Sequence, residues 1–441
     1  MGISIKILNR NSVLWSIFLM YLISISFLNI YWCNVLSPPE FIFILLGFCF
    51  IAQIKYFNNL DYKLNYLDAT IGLLIIIYGI GAMMSMDKNA IVEWVGLIYL
   101  VALYIIVKWM ILRDSDRTIR YLIYGLSITS CITIILGIIG VIQAYGEHTP
   151  NSFAWYYLDY PYFGNVPRAR GLMGTPEMMA HVISISILLK LGYYKAKYFE
   201  SWWWNIIILL EGIGLLLTSS KTIFILILIL SLFIFIKKKN KAFRALFGMI
   251  SALLFFIYIM GTHFVVTPKV GSSEGSRLTK NFKNQTLISD AWELEKTNYF
   301  ELKKLAIAVG LSQPLFGISG TSFNEYQKMN GLNNSNQSSI YYDPHCTYLG
   351  AFAGYGFPGL IMCCGLFILL IIIATKSYRQ NPTTKHLILF LIIIFLSIEG
   401  INTDILNFRL LWVVMALISV HTPTIKFSYS ALTTRPNDHV V

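Results

Sequence analysis

The stretch "TIFILILILSLFIFI" (222–236) contains no charged side chain. One such run could sit in a soluble core, but comparable runs recur from the first tens of residues to about residue 420. Where water is absent, every backbone N–H and C=O must be satisfied within the segment, and a helix does this. The chain is 56% hydrophobic with a mean hydropathy of +0.64, against about 45–50% apolar residues in soluble domains. No water-soluble core needs so many runs. The expected fold is an all-α polytopic membrane protein.

A crossing helix needs about 20 apolar residues. Twelve segments come near that length: 12–33, 39–54, 69–86, 90–111, 121–145, 179–194, 201–218, 221–236, 245–266, 346–374, 386–402 and 404–420. The first shows no small-residue cleavage site and is expected to be retained as a helix. The chain therefore divides into 1–266, with nine helices and a loop near 146–178; a large loop over 267–345; and 346–441, with three helices and a tail.

The formal net charge is +12. On a soluble protein this would suggest nucleic acid, but no basic patch interleaved with aromatics is present. Cytoplasmic loops collect Lys and Arg. With the N-terminus inside, the inner segments hold 21 of the 34 basic residues, and the short outer segments hold only 5. Long loops cross regardless of charge, so the comparison places both termini on the cytoplasmic side. The six cysteines show neither zinc spacing nor a disulfide framework.

Within the large outer loop, Asp290 and Glu293 fit a capping box. Leu302, Leu305, Ala306 and Val309 then follow at helical spacing. "PLFGISGTSF" (314–323) breaks that helix. Beyond it, "DPHCTYLGAFAGYGFPG" (343–359) sets a histidine where an apolar run begins. Its Gly350 and Gly354 form a GxxxG step suited to close helix packing. Gly356, Pro358 and Gly359 interrupt the helix.

The basic residues on the outer side are the informative exceptions. Arg168 and Arg170 lie in "NVPRARGLMGTPEMMA" (165–180), Lys221 lies in "TSSKT" (218–222), and His345 starts the tenth segment. Each has a bland reading. Arginines at span ends snorkel to headgroups, a lysine at a turn anchors the interface, and a histidine at a helix start can be a cap. Four such groups on one face, from three places in sequence, favour a site. A guanidinium fork suits phosphate oxygens and an ammonium supplies a point charge, so Arg168, Arg170 and Lys221 are expected to hold a diphosphate. His345 is the expected general base. Of the other histidines, His181 suits a hydrogen bond between helices, while His148, His263, His386, His421 and His439 are set aside. Asp159, Glu177, Asp343, Glu399 and Asp404 lie near the same face without one standing out. No outer loop carries a DxD or tight carboxylate cluster, so no metal or other cofactor is expected.

These motifs together resemble the bacterial O-antigen ligase and O-antigen polymerase superfamily. His345-Cys346, nine residues, and Gly356-Phe-Pro-Gly359 resemble its histidine signature, with Cys346 where Asn, Ser or Gln is usual. "PLFGISGTSF", "RARGLMGTPEMMA" and "TSSKT" resemble three further family stretches, with Glu177 where Asn is common and Lys221 in place of Arg. The resemblance implies an inner-membrane glycosyltransferase working on the periplasmic face. Its donor would be a glycan on undecaprenyl diphosphate, and its acceptor a sugar hydroxyl on lipid A-core (ligase) or on another lipid-linked glycan (polymerase). His345 and Arg170 would be catalytic. A transporter of lipid-linked oligosaccharide is the alternative from another class. Its ionisable residues would sit at mid-bilayer on broken helices.

Overall fold

The structure, a computed structural model, describes residues 10–30, 36–54, 64–85, 88–160, 164–193, 202–238, 240–268, 286–287, 292–318 and 344–420. Its helices are α1 (Arg10–Ser24), α2 (Pro38–Ile54), α3 (Tyr66–Ser85), α4 (Lys88–Arg113), α5 (Ser115–Glu147), α6 (Pro176–Tyr193), α7 (Trp203–Leu217), α8 (Thr222–Lys237), α9 (Lys241–His263), α10 (Asn298–Ser312), α11 (Thr347–Gln380), α12 (Thr384–Glu399) and α13 (Arg409–Ser419). Each of the twelve expected apolar segments overlaps a helix. Among the described residues, five helical stretches are long and apolar enough to cross a membrane: 66–84, 90–113, 115–147, 241–263 and 347–380. Others, such as 203–217 and 222–237, are apolar but shorter.

Large apolar side chains point outward as well as inward. Phe48, Leu209, Met249 and Ile361 are each more than 60% exposed, while a continuous core runs from Leu14 on α1 to Ile418 on α13. A helix apolar on all sides belongs in the middle of a large protein or in lipid, and the exposed faces select lipid. The chain is a multi-pass membrane protein. Charged and polar groups fix where helices begin. The Asp114 side chain accepts from Arg117 N at the start of α5 (3.0 Å), and Asn240 accepts from Ala242 N at the start of α9 (2.9 Å).

The all-helical expectation needs correcting at two places. The segment between α5 and α6 is a hairpin, β1 (Ala154–Tyr160) against β2 (Gly164–Ala169), antiparallel with Trp155 opposite Arg168. After α9 the chain continues into β3 (Phe264–Pro268). That strand pairs with β5 (Trp292–Lys296), whose other edge takes β4 (Thr286–Leu287). Glu293 lies in β5 opposite Thr267, so it caps no helix; Asp290 lies outside the described residues. Ladder pairing wins over the local capping signal, and α10 starts at Asn298 instead, after Thr297, which bonds back to the end of α9 (Thr297 N to His263 O, 3.0 Å).

The expected apolar face of α10 is observed. Leu302, Ala306 and Val309 pack on Ala353 of α11. The break that follows α10 interlocks with a break in α11. Tyr355 and Gly356 leave the helical region, Gly356 with φ +65°. This frees the Ala353 carbonyl and the Phe357 amide, which the loop satisfies: Ile318 N donates to Ala353 O (2.9 Å) and Phe357 N donates to Pro314 O (2.7 Å). Both glycines at the contact are required. A Cβ on Gly317 (φ +63°) would stand 2.3 Å from the Gly354 carbonyl carbon, and one on Gly356 would stand 2.4 Å from Pro314 O. Gly354 thus packs against a loop, and nothing lies within 4 Å of where a Gly350 Cβ would be. The GxxxG step does not serve helix–helix approach here. The rest of "PLFGISGTSF", residues 319–323, lies outside the described residues.

Candidate functional site

The α7–α8 turn puts Lys221 at one end of the helix bundle. Ser219 takes φ +46°, which reverses the chain within a few residues and leaves Lys221 as the residue before α8. Its Nζ donates to Gly261 O near the end of α9 (2.8 Å) and lies 5.4 Å from the Tyr299 ring centroid on α10. Burial, reinforced by the neighbouring Arg168 charge, pushes its pKa down to about 8. Burial does the same to Lys303 on α10, also to about 8. The Lys303 Nζ donates to Asn402 Oδ1 (2.5 Å) and contacts His263 Nε2 (2.8 Å).

Strand β2 delivers Arg168 to the same place. Its Nε donates to Thr218 O (2.9 Å) and its Nη2 pairs with Glu177 Oε1 on α6 (2.6 Å). Arg168, Glu177, Lys221, Tyr258, Tyr299 and Glu399 line one cavity of about 150 Å³, with Asn402 on its rim. Two cations, two carboxylates and two phenols, from four helices, a strand and the α7–α8 turn, therefore surround one space. Arg170 is placed differently. Its Nη1 donates to Gly174 O (3.0 Å), its Nη2 donates to Asn151 O (3.1 Å), and its guanidinium sits 5.7 Å from the Trp155 ring centroid. It does not line the cavity; it fastens the segment around the hairpin that carries Arg168.

His345 stands just before α11 with φ +46°. A β-carbon in that region costs roughly 1–2 kcal/mol, and such outliers gather where a side chain must be aimed. The ring lies 5.1 Å, centroid to centroid, from that of Tyr299. Tyr299 thus bridges His345 on one side and Lys221 on the other. The strand and helix ends bring Arg168, Lys221 and His345 into one neighbourhood and leave Arg170 behind the hairpin.

Glu399, the last residue of α12, is the group that charge pattern alone did not single out. It is 2% exposed. Its Oε2 accepts from the Tyr258 hydroxyl (3.3 Å) and lies 3.2 Å from His181 Nε2 on α6. His181 therefore does meet a partner across a helix interface, as a close nitrogen–oxygen contact rather than an aligned hydrogen bond. Oε1 of Glu399 has no hydrogen-bond partner among the described residues. A buried acceptor left open in a cavity is costly, and it leaves capacity for a ligand hydroxyl. A lone carboxylate at the end of an apolar run was the available signal, because intramembrane charges are expensive enough to mark function. Of the other acidic candidates, Asp404 lines a second cavity, and Asp343 lies outside the described residues.

Residues 205–364 match a family model described as O-Antigen ligase, and the match supports the O-antigen ligase and polymerase superfamily. No curated protein matches the chain. The matched segment includes Lys221, Tyr258, Tyr299 and His345, and it stops short of Arg168 on one side and Glu399 on the other.

Proposed function

Proceeding from the likeness of residues 205–364 to the O-antigen ligases, we propose that this chain is a glycosyltransferase. It moves a glycan from undecaprenyl diphosphate to a sugar hydroxyl at the outer face of a bacterial inner membrane. The observation that carries the reading is the single cavity holding Arg168 and Lys221, joined to His345 through Tyr299. Two cations at its wall match a diphosphate. The imidazole stands one aromatic ring away.

In the proposed reaction the acceptor hydroxyl oxygen attacks the anomeric carbon, and the bond from that carbon to the diphosphate oxygen breaks. The hydroxyl proton passes to His345, and the electron pair leaves with the diphosphate. Arg168 and Lys221 stabilise that charge as it develops, which is where preorganised cations contribute most. A lipid diphosphate is already a good leaving group, so alignment and charge stabilisation supply most of what is needed. Direct displacement inverts the anomeric centre, and the chain's own cations make a metal unnecessary in this scheme. Arg170 serves by holding the hairpin, so that Arg168 keeps its place. The ligase reading, with lipid A-core as acceptor, follows the histidine motif around His345. Polymerisation onto a second lipid-linked glycan uses the same chemistry.

The test is transfer by the purified protein with lipid-linked glycan and acceptor supplied. His345→Ala is expected to lower turnover by about 10²–10⁴-fold, with unchanged thermal unfolding and unchanged undecaprenyl diphosphate binding. Transfer by that variant at near wild-type rate would remove the base assignment.

A further inference from the structure

A second cavity, of about 170 Å³, lies on the other side of the same wall. The link between α12 and α13 forms that wall. Asn402 and Thr403 face the first cavity, and Asp404, Leu406 and Asn407 face the second. His345 sits at the junction. Its ring rests by Tyr299 of the first cavity, and its chain neighbours Pro344 and Cys346 line the second. The first cavity is bordered by Arg168 and Lys221; among the described residues, the lining of the second contains Glu93 and Asp404 and no Lys, Arg or His.

An acidic lining alone would decide nothing, but three further observations point to an occupant. The Tyr78 hydroxyl is buried, the residue being only 8% exposed, and it has no hydrogen-bond partner among the described residues. Tyr78 lines the cavity together with Glu93 and Asp404. Tyr78 is stacked on Tyr355 with ring centroids 3.8 Å apart, and that contact fixes the phenol in place. Finally, Gly350 borders the cavity with nothing within 4 Å of where its Cβ would be. The space exists because that residue has no side chain.

We propose that this second cavity is the binding site for the acceptor glycan. It would take a hydroxyl-rich sugar ring without a phosphate or carboxylate, held by Glu93, Asp404 and the Tyr78 hydroxyl. Carboxylates accept hydrogen bonds from sugar hydroxyls, and the phenol can donate or accept. The carboxylates Glu93 and Asp404 repel a diphosphate, so charge sorts the two substrates into two cavities with His345 between them. The assignment rests on the transferase reading above, and it adds which substrate goes where and by which residues.

Two variants test it. Tyr78→Phe removes only the orphaned hydroxyl, and Gly350→Leu adds a side chain at the cavity border, where a Cβ meets nothing within 4 Å, while favouring helix. The full-length protein in nanodiscs is titrated with three probes: undecaprenyl diphosphate, lipid-free glycan released from the lipid A-core fraction, and lipid-free glycan released from the lipid-linked fraction. The expected result is that at least one glycan binds the wild type. Tyr78→Phe weakens it about three- to tenfold, the worth of one hydrogen bond. Gly350→Leu removes binding, and both variants bind undecaprenyl diphosphate as the wild type does, with unfolding temperatures equal or raised. The proposal is overturned if neither glycan binds the wild type, if the variants bind it unchanged, or if undecaprenyl diphosphate weakens in parallel. Binding needs no turnover. A wild type that shows this split yet transfers nothing would refute the transferase reading while keeping the sugar site.

Discussion

Lys221 shows how much one side chain's surroundings matter. Burial and the Arg168 charge lower its pKa to about 8, so the empty enzyme loses this cation as pH rises through that value. The donor KM is therefore expected to climb by up to about tenfold between pH 7 and pH 9, following the titrating fraction. Lys221→Arg, which holds its proton throughout, should flatten the climb. Steady-state kinetics on the two proteins check this. Stability moves the other way. The unfolded chain keeps the lysine proton up to the ordinary lysine range, so the folded state gains as pH rises from about 8 towards that range. A donor KM that rose only in step with unfolding would contradict the assignment. Lys221, Arg168 and His345 could be seen in the sequence because charges stand out against apolar runs. Tyr299 could not, since nothing distinguishes it within an ordinary amphipathic helix until the fold sets Lys221 and His345 on its two sides. Glu399 was visible as a residue, but its weight depends on His181 and Tyr258, which come from helices far away in sequence.

At the scale of elements, α6 and α7 are joined by an ion pair that the apolar pattern hides. Lys190 Nζ meets Glu211 Oε1 at 2.5 Å, with side chains 2% and 0% exposed, and Ser186 bonds to both. Removing one partner of such a pair leaves a buried charge and typically costs about 3–5 kcal/mol, whereas replacing both can be neutral. Lys190→Met is thus expected to lower the unfolding temperature sharply, and Lys190→Met with Glu211→Leu to restore most of it. Thermal unfolding of the single and double variants in one detergent decides the matter. Existence and order of the helices were legible from twelve apolar segments, because lipid demands length and apolarity from each. The strands were not. The aromatic-rich "FAWYYLDYPYF" (153–163) has strand-forming composition, but its pairing depends on residues 164–169 returning beside it. The supposed capping box failed for the same kind of reason: β5 is claimed by β3, a partner more than twenty residues away in sequence.

For the whole molecule, the uneven distribution of Lys and Arg argues that the α7–α8 turn faces outward and both termini face the cytoplasm. Ser219, exposed in that turn, offers a direct check. Ser219→Cys in intact cells stripped of their outer membrane should react with a membrane-impermeant maleimide beyond the wild-type background. Labelling only after lysis would invert the orientation and put the cationic cavity on the wrong side for a lipid-linked donor. Charge supplies the expected direction, which the labelling tests. Partition of the interior into two neighbouring cavities was not readable in the sequence, because residues 402–407 gain that meaning only once α12 and α13 are packed around them.

The exchange of backbone partners between residues 314–318 and 353–357 sets a mechanical rule for this protein. A helix that borrows its missing hydrogen bonds from another segment cannot release that segment without leaving its own peptide groups unpaired, which is costly wherever water is absent. Any breathing of the surrounding helices must therefore pivot away from this clasp, so that the His345 imidazole keeps a constant bearing while the surroundings flex.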